Sequence, residues 1–181
     1  MNKKLVVIVG QSGAGKSTLA EMLARKNDYA LLCEDDFVFA MNPASMIKRV
    51  PRKSDRIYGL NNLKMVLAVY LGTKKSTVIE GALVDGPYYL DDFRQMAEKY
   101  EFDFIPIMLV GDDAKRRRRK VRKGYAVTKT TDARLKREAK KLGYPDECKV
   151  IDTTKQSLKK TFDNLDKLVQ DWPFLDIKVE E

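Results

Sequence analysis

The stretch Gly10-Gln11-Ser12-Gly13-Ala14-Gly15-Lys16-Ser17-Thr18 follows an apolar run at 5–9 and precedes a run at 19–26 with helical spacing. It is G-x-x-x-x-G-K-S set between a strand and a helix, the order that a phosphate-binding loop requires. Its glycines let the backbone fold around an anion, so that N–H groups and the positive end of the helix point at phosphates. Lys16 adds a positive charge beside the leaving phosphate, and Ser17 offers a hydroxyl to Mg²⁺. The whole stretch, Gly10 to Thr18, is therefore expected to bind a nucleoside triphosphate, ATP or another, together with Mg²⁺.

At 181 residues the chain is expected to form one α/β domain over 1–171, with a peripheral tail at 172–181. The first residues run straight into the strand, without the charged and apolar pattern of a targeting segment. No apolar run is long enough to cross a bilayer. Cys33 and Cys148 lie at strand edges without metal-like spacing, which reads as two thiols in a reducing compartment. A cytoplasmic protein is expected, a monomer or a simple homo-oligomer.

The net charge of +9 is unevenly spread. Residues 112–141 hold 14 Lys or Arg against 4 Asp or Glu, whereas the rest of the chain holds 21 against 22. A basic segment of this kind is the footprint of phosphates, those of ATP or of a polyanionic partner.

A second strand, 29–33, ends in Glu34-Asp35-Asp36-Phe37, which puts carboxylates at the carboxyl end of a strand, where open parallel sheets bind ligands. One of Asp35 and Asp36 is expected to cap the following turn. The pair also supplies the carboxylate that a kinase needs to accept a hydroxyl proton near the γ-phosphate. Between 40 and 62, Pro43, Pro51 and Gly59 interrupt the chain, and Lys48, Arg49, Arg52, Lys53 and Arg56 cluster. Asp36, Arg49, Arg52 and Arg56 are the candidate acceptor-binding residues; a solvated loop with scattered charges is the plainer reading.

A helix is expected at 61–71, ended by Gly72, and a third strand at 76–80 finishing in Glu80, which can reach a Mg²⁺-bound water. Asp85 is a weaker metal candidate, and Tyr88 and Tyr89 either stack on a base or sugar or simply pack. A helix at 90–100 leads to a strand at 102–110, whose continuous apolar run suits burial on both faces. From Asp112 to Gly124 acidic residues open a helix and basic ones fill it. Arg118 shares a face with Arg122, and Arg119 with Lys123. With a second basic helix at 132–142, this segment is expected to form a lid over about 112–142. A strand at 149–152 and an amphipathic helix close the domain, with Leu158, Phe162, Leu165, Leu168 and Val169 inward.

The phosphate loop, Asp35-Asp36-Phe37, the basic run from Arg116 to Gly124 and Ile151-Asp152-Thr153-Thr154 together resemble small P-loop kinases. The likeness is to the group of polynucleotide kinases, zeta toxins and gluconate-type kinases, and small phage kinases acting on nucleotides or on hydroxymethylated bases in DNA are of the same type. The resemblance implies a three-layer P-loop NTPase fold with a five-stranded parallel sheet and a helical basic lid. It implies Asp35 as general base, and Arg119 with either Arg122 or Lys123 as stabilisers of the migrating phosphoryl group. Lys123 stands where such kinases carry an Arg before the lid glycine.

The expected activity is transfer of the γ-phosphate of Mg·ATP to a hydroxyl. Lys16, Arg119 and Arg122 would stabilise charge, Ser17 and Glu80 would serve the metal, and Asp35 would act on the acceptor. The local charge excess favours a nucleic-acid acceptor, a polynucleotide 5′-hydroxyl or a hydroxymethylated base. A small-molecule or nucleotide kinase is the alternative, and a nucleotide-dependent switch the third reading.

Overall fold

The computed structural model describes residues 2–10, 12–42, 51–81, 88–122 and 148–172, with residues 88, 113, 117 and 120–122 by backbone alone. The elements are β1 (Lys4–Gly10), α1 (Lys16–Asn27), β2 (Ala30–Cys33), α2 (Glu34–Ala40), α3 (Lys53–Gly72), β3 (Thr77–Glu80), α4 (Tyr88–Tyr100), β4 (Asp103–Val110), α5 (Asp113–Arg122), β5 (Lys149–Asp152) and α6 (Leu158–Gln170). All five strands run parallel, in the order β2-β3-β1-β4-β5. The α/β architecture and five-stranded parallel sheet read from the sequence are those observed.

β1 is the central strand and is buried along its whole length. Alternate side chains of a strand point to opposite faces. Leu5, Val7 and Val9 accordingly join one core with α3 and α4, while Val6 and Ile8 join another with α1 and α6. The carboxyl ends of the strands meet on one side, where Glu80 of β3 lies in register between Cys33 of β2 and Ile8 of β1. Two residues beyond Ile8 the phosphate loop begins.

Two helices depart from the expectation. α3 starts at Lys53, well before 61, and runs through Gly59 without a break. Gly59 is there for a close approach: a Cβ on it would lie 2.6 Å from Val38 Cα, so α2 and α3 meet backbone to backbone. The helix starts where Asp55 Oδ2 accepts from the Arg52 N–H at 3.0 Å, a satisfied helix terminus. In α6, Leu158 does not point inward. It is half exposed, while Thr161, Phe162, Leu165, Asp166 and Val169 are buried. Trp172, the first residue of the expected tail, packs partly buried against the α1–α6 core.

The second basic helix expected at 132–142, most of the lid and the tail from 173 lie outside the described residues. No described helix is long and apolar enough to cross a membrane. Neither cysteine forms a disulfide among the described residues.

Candidate active site

The phosphate loop is shaped by what its glycines allow. Gly10 (φ 141°) lies against β4, where a Cβ would meet Leu109 O at 2.2 Å. Gly13 (φ 84°) lies against α5, where a Cβ would meet Arg116 O at 2.8 Å. Gly15 (φ 106°) is the left-handed residue from which α1 starts, and no side chain caps that start. The first N–H groups of α1 therefore face the loop.

Three consecutive loop carbonyls are held from the α5 side. Arg116 Nη1 donates to Ser12 O (3.2 Å), and Arg119 Nη1 donates to Gly13 O (3.2 Å) and Ala14 O (3.0 Å). Thr153 Oγ1, at the end of β5, donates to Ala14 O (3.3 Å) and accepts from Arg119 Nη1 (3.3 Å). No described peptide bond is cis, and in a trans peptide the carbonyl and the next N–H point in opposite directions. Holding the carbonyls of Ser12, Gly13 and Ala14 outward therefore aims the N–H groups of Gly13, Ala14 and Gly15 inward, as a cradle for phosphate oxygens.

Lys16 opens α1 with a partly buried side chain. Desolvation is the largest influence on its ammonium and lowers its pKa. Glu80, Glu34 and Asp35, in that order, pull it back up, and the positive charge of Arg116 adds to the lowering. Three carboxylates from two strand ends thus surround the lysine. Glu80 is buried at the end of β3. Glu34 is buried in the first turn of α2, its carboxylate resting on Gly81, where a Cβ would come within 2.3 Å of Oε2. Asp35 follows it, exposed at the mouth of the site. The acidic first turn of α2 suits the positive end of that helix.

The donors fit a Mg²⁺ that arrives with nucleotide. Magnesium keeps most of its waters and takes only one or two protein groups besides phosphates. Ser17, exposed in the first turn of α1, and Glu80 are such groups. No group of three metal-binding side chains is present among the described residues.

Cys33 is held out of the chemistry. Burial, then the neighbouring carboxylates with Glu80 first, push its thiol up to about 12.

The structure brings together Gly10, Ser12 to Thr18, Asp35, Glu80 and Arg119. It separates Asp36 from Asp35. At 100° per residue Asp36 lies about a quarter-turn round α2 from Asp35, on the side of Phe37 and Ala40, with Met41 just past the end of the helix. With Asn62, Met65 and Val66, Asp36, Phe37, Ala40 and Met41 line a mostly apolar groove of about 470 Å³. Arg52 is exposed, and its Nε lies 3.4 Å from Asp55 Oδ2 at the start of α3; Arg56 is partly buried one turn on. Tyr89 packs on the α3–α4 core beneath the Lys64 ammonium. Gln11, Arg49 and Asp85 lie outside the described residues, as do the side chains of Tyr88 and Arg122.

The sequence reading missed Glu34 and Arg116. The sequence places Glu34 directly before the aspartate pair at the strand end and Arg116 three residues before Arg119, but neither position by itself marks the residue as facing the loop or Lys16.

A parallel sheet ordered 2-3-1-4-5, with a glycine loop and lysine at the end of its central strand, is the fold of P-loop kinases. The chain belongs to the family described as AAA domain (AAA_33), whose model matches residues 5–145. Among solved structures it is similar to a sugar kinase from Janibacter sp. HTCC2649, at 21% identity and a TM-score of 0.73 over 94% of this chain and 96% of that one. A gluconokinase from Sinorhizobium meliloti 1021 matches at 20% identity and a TM-score of 0.67, covering 92% and 94%. The APS kinase of Mycobacterium tuberculosis, solved with AMPPNP and APS, matches at 17% identity and a TM-score of 0.59, covering 93% and 98%. No curated protein matches the chain.

Proposed function

We propose that the protein is a kinase that transfers the γ-phosphoryl group of Mg·ATP to the hydroxyl of a small-molecule acceptor. The observation that carries this is the position of Asp35, exposed in the first turn of α2 and within electrostatic reach of Lys16. A carboxylate there receives the hydroxyl proton as the acceptor oxygen bonds to the γ-phosphorus and the bond to the β–γ bridging oxygen breaks, releasing ADP. The N–H groups of Gly13 to Gly15 and the Lys16 ammonium face the charge that shifts onto the phosphate oxygens. Ser17 and Glu80 would hold a Mg²⁺ that arrives with the nucleotide, and when bound it would supply neutralisation of the phosphate charge.

Two features favour a small acceptor over a nucleic acid. Arg116 and Arg119, part of the basic run that suggests a polyanion, are turned onto the phosphate loop instead of outward. Similar folds include a gluconokinase and an APS kinase, whose names specify small acceptors. Substitution Asp35→Asn tests the assignment. It is expected to lower acceptor phosphorylation by about 10²- to 10⁴-fold with ATP affinity unchanged; full turnover in the variant overturns Asp35 as the base.

A further inference from the structure

Lys115, in the first turn of α5, donates from Nζ to three backbone carbonyls of the β5–α6 connection: Thr153 O at 2.7 Å, Thr154 O at 2.8 Å and Gln156 O at 3.1 Å. An ammonium carries three N–H donors, so this one is fully used. Carbonyl dipoles turned toward one point repel one another unless a cation sits among them. The connection is anchored nearby as well, by Asp112 N–H to Thr154 Oγ1 (3.0 Å) and Thr154 N–H to Asp152 Oδ1 (2.7 Å). Its first residue, Thr153, is the one whose hydroxyl bonds to Ala14 O in the phosphate loop.

We propose that Lys115 is a positioning residue whose ammonium serves as a built-in monovalent cation, filling a carbonyl cage and thereby setting Thr153, and through it Ala14, in the nucleotide-receiving form. The bond from Thr153 to Ala14 O turns the Gly15 N–H toward the phosphate site. Emptying the cage therefore costs nucleotide affinity at a distance, without removing any group that touches phosphate. The proposal rests on the reading that the loop binds nucleotide, and its test reads ATP binding alone, independent of any acceptor.

The test is calorimetric titration of the full chain with Mg·ATP. Lys115→Ala is expected to weaken binding by about tenfold, the worth of one charge-assisted hydrogen bond. Methylammonium chloride is expected to restore most of the loss, and tetramethylammonium chloride, too large for three carbonyls and without N–H donors, to restore none. Wild-type affinity in Lys115→Ala, or a loss that the two salts treat alike, overturns the proposal. Thr153→Val is a second probe that leaves the cage filled. It is expected to weaken ATP binding with no response to methylammonium, and unchanged binding overturns the link to Ala14. If the unaltered protein takes up no ATP, the nucleotide reading itself fails.

Discussion

The Glu34 carboxylate rests directly on Gly81: a Cβ at position 81 would lie 2.3 Å from Glu34 Oε2 and 2.7 Å from Glu34 Cβ. The first turn of α2 and the end of β3 thus fit together only with glycine at 81, and that fit presents two buried carboxylates, Glu34 and Glu80, to Lys16.

Gly81→Ala consequently forces Glu34 away. Overpacking of this kind costs about 1–3 kcal/mol, which for a domain of this size lowers the melting temperature by about 2–4 °C per kcal/mol. Differential scanning calorimetry reads the shift, and an unchanged melting temperature contradicts the contact.

Glu34→Gln tests the electrostatics. In the proposed mechanism Lys16 acts as an ammonium; burial lowers its pKa below that of an ordinary lysine, so kcat/KM for ATP is expected to fall at a pH below the usual lysine range. Removing the Glu34 charge removes part of what raises that pKa, and the alkaline limb moves to still lower pH. For folding the sign is opposite. The native Lys16 releases its proton before the unfolded one does, so its contribution to stability grows as pH rises between the two pKa values. A limb that stays fixed in Glu34→Gln disposes of the charge coupling.

Arg119→Ala strips the bonds to Gly13 O, Ala14 O and Thr153 Oγ1. Hydrogen bonds to charged groups contribute about 1.5–3 kcal/mol each, so ATP affinity is expected to drop by at least about tenfold. If Arg119 served only the migrating phosphoryl group, kcat alone would fall and binding would stay the same.

Cys33 is expected to resist alkylation at neutral pH, because the thiolate is the reactive form and its pKa stands at about 12. Mass-spectrometric mapping after iodoacetamide treatment should find Cys33 unmodified in the folded chain and modified in urea. Rapid native labelling contradicts its placement beside Glu80.

Much of this was legible in the chain because strands and loop carry strong local patterns. Residues 5–9 are apolar at every position, as a central strand buried on both faces demands, and G-x-x-x-x-G-K-S admits few other backbones. The start of α3 was hidden because Gly59 reads locally as a breaker, while its reason is the packing of α2 across it. Choosing among Arg116 to Arg119 was hidden for another reason. A run of basic residues has no apolar contrast, so its periodicity gives no face, and it is the fold, which lays α5 against the phosphate loop, that turns Arg116 and Arg119 to it. Glu34 was passed over beside two more acidic neighbours, since burial, which separates it from Asp35, depends on Gly81 far along the sequence. Leu158 is apolar and falls on the helix period, yet it occupies the first turn of α6, where the core has already ended.

The most direct test of the account follows ³²P from the γ-position of Mg·ATP into a panel of sugars, sugar acids, other small alcohols, nucleosides, 5′-hydroxyl oligonucleotides and hydroxymethyluracil-containing DNA, with Asp35→Asn in parallel. The account predicts label on a small hydroxyl compound, lost in Asp35→Asn, and none on the nucleic acids. Label on a nucleic acid that is equally lost in the variant would contradict the small-molecule reading and return the basic segment at 112–141 to the role of acceptor-binding surface.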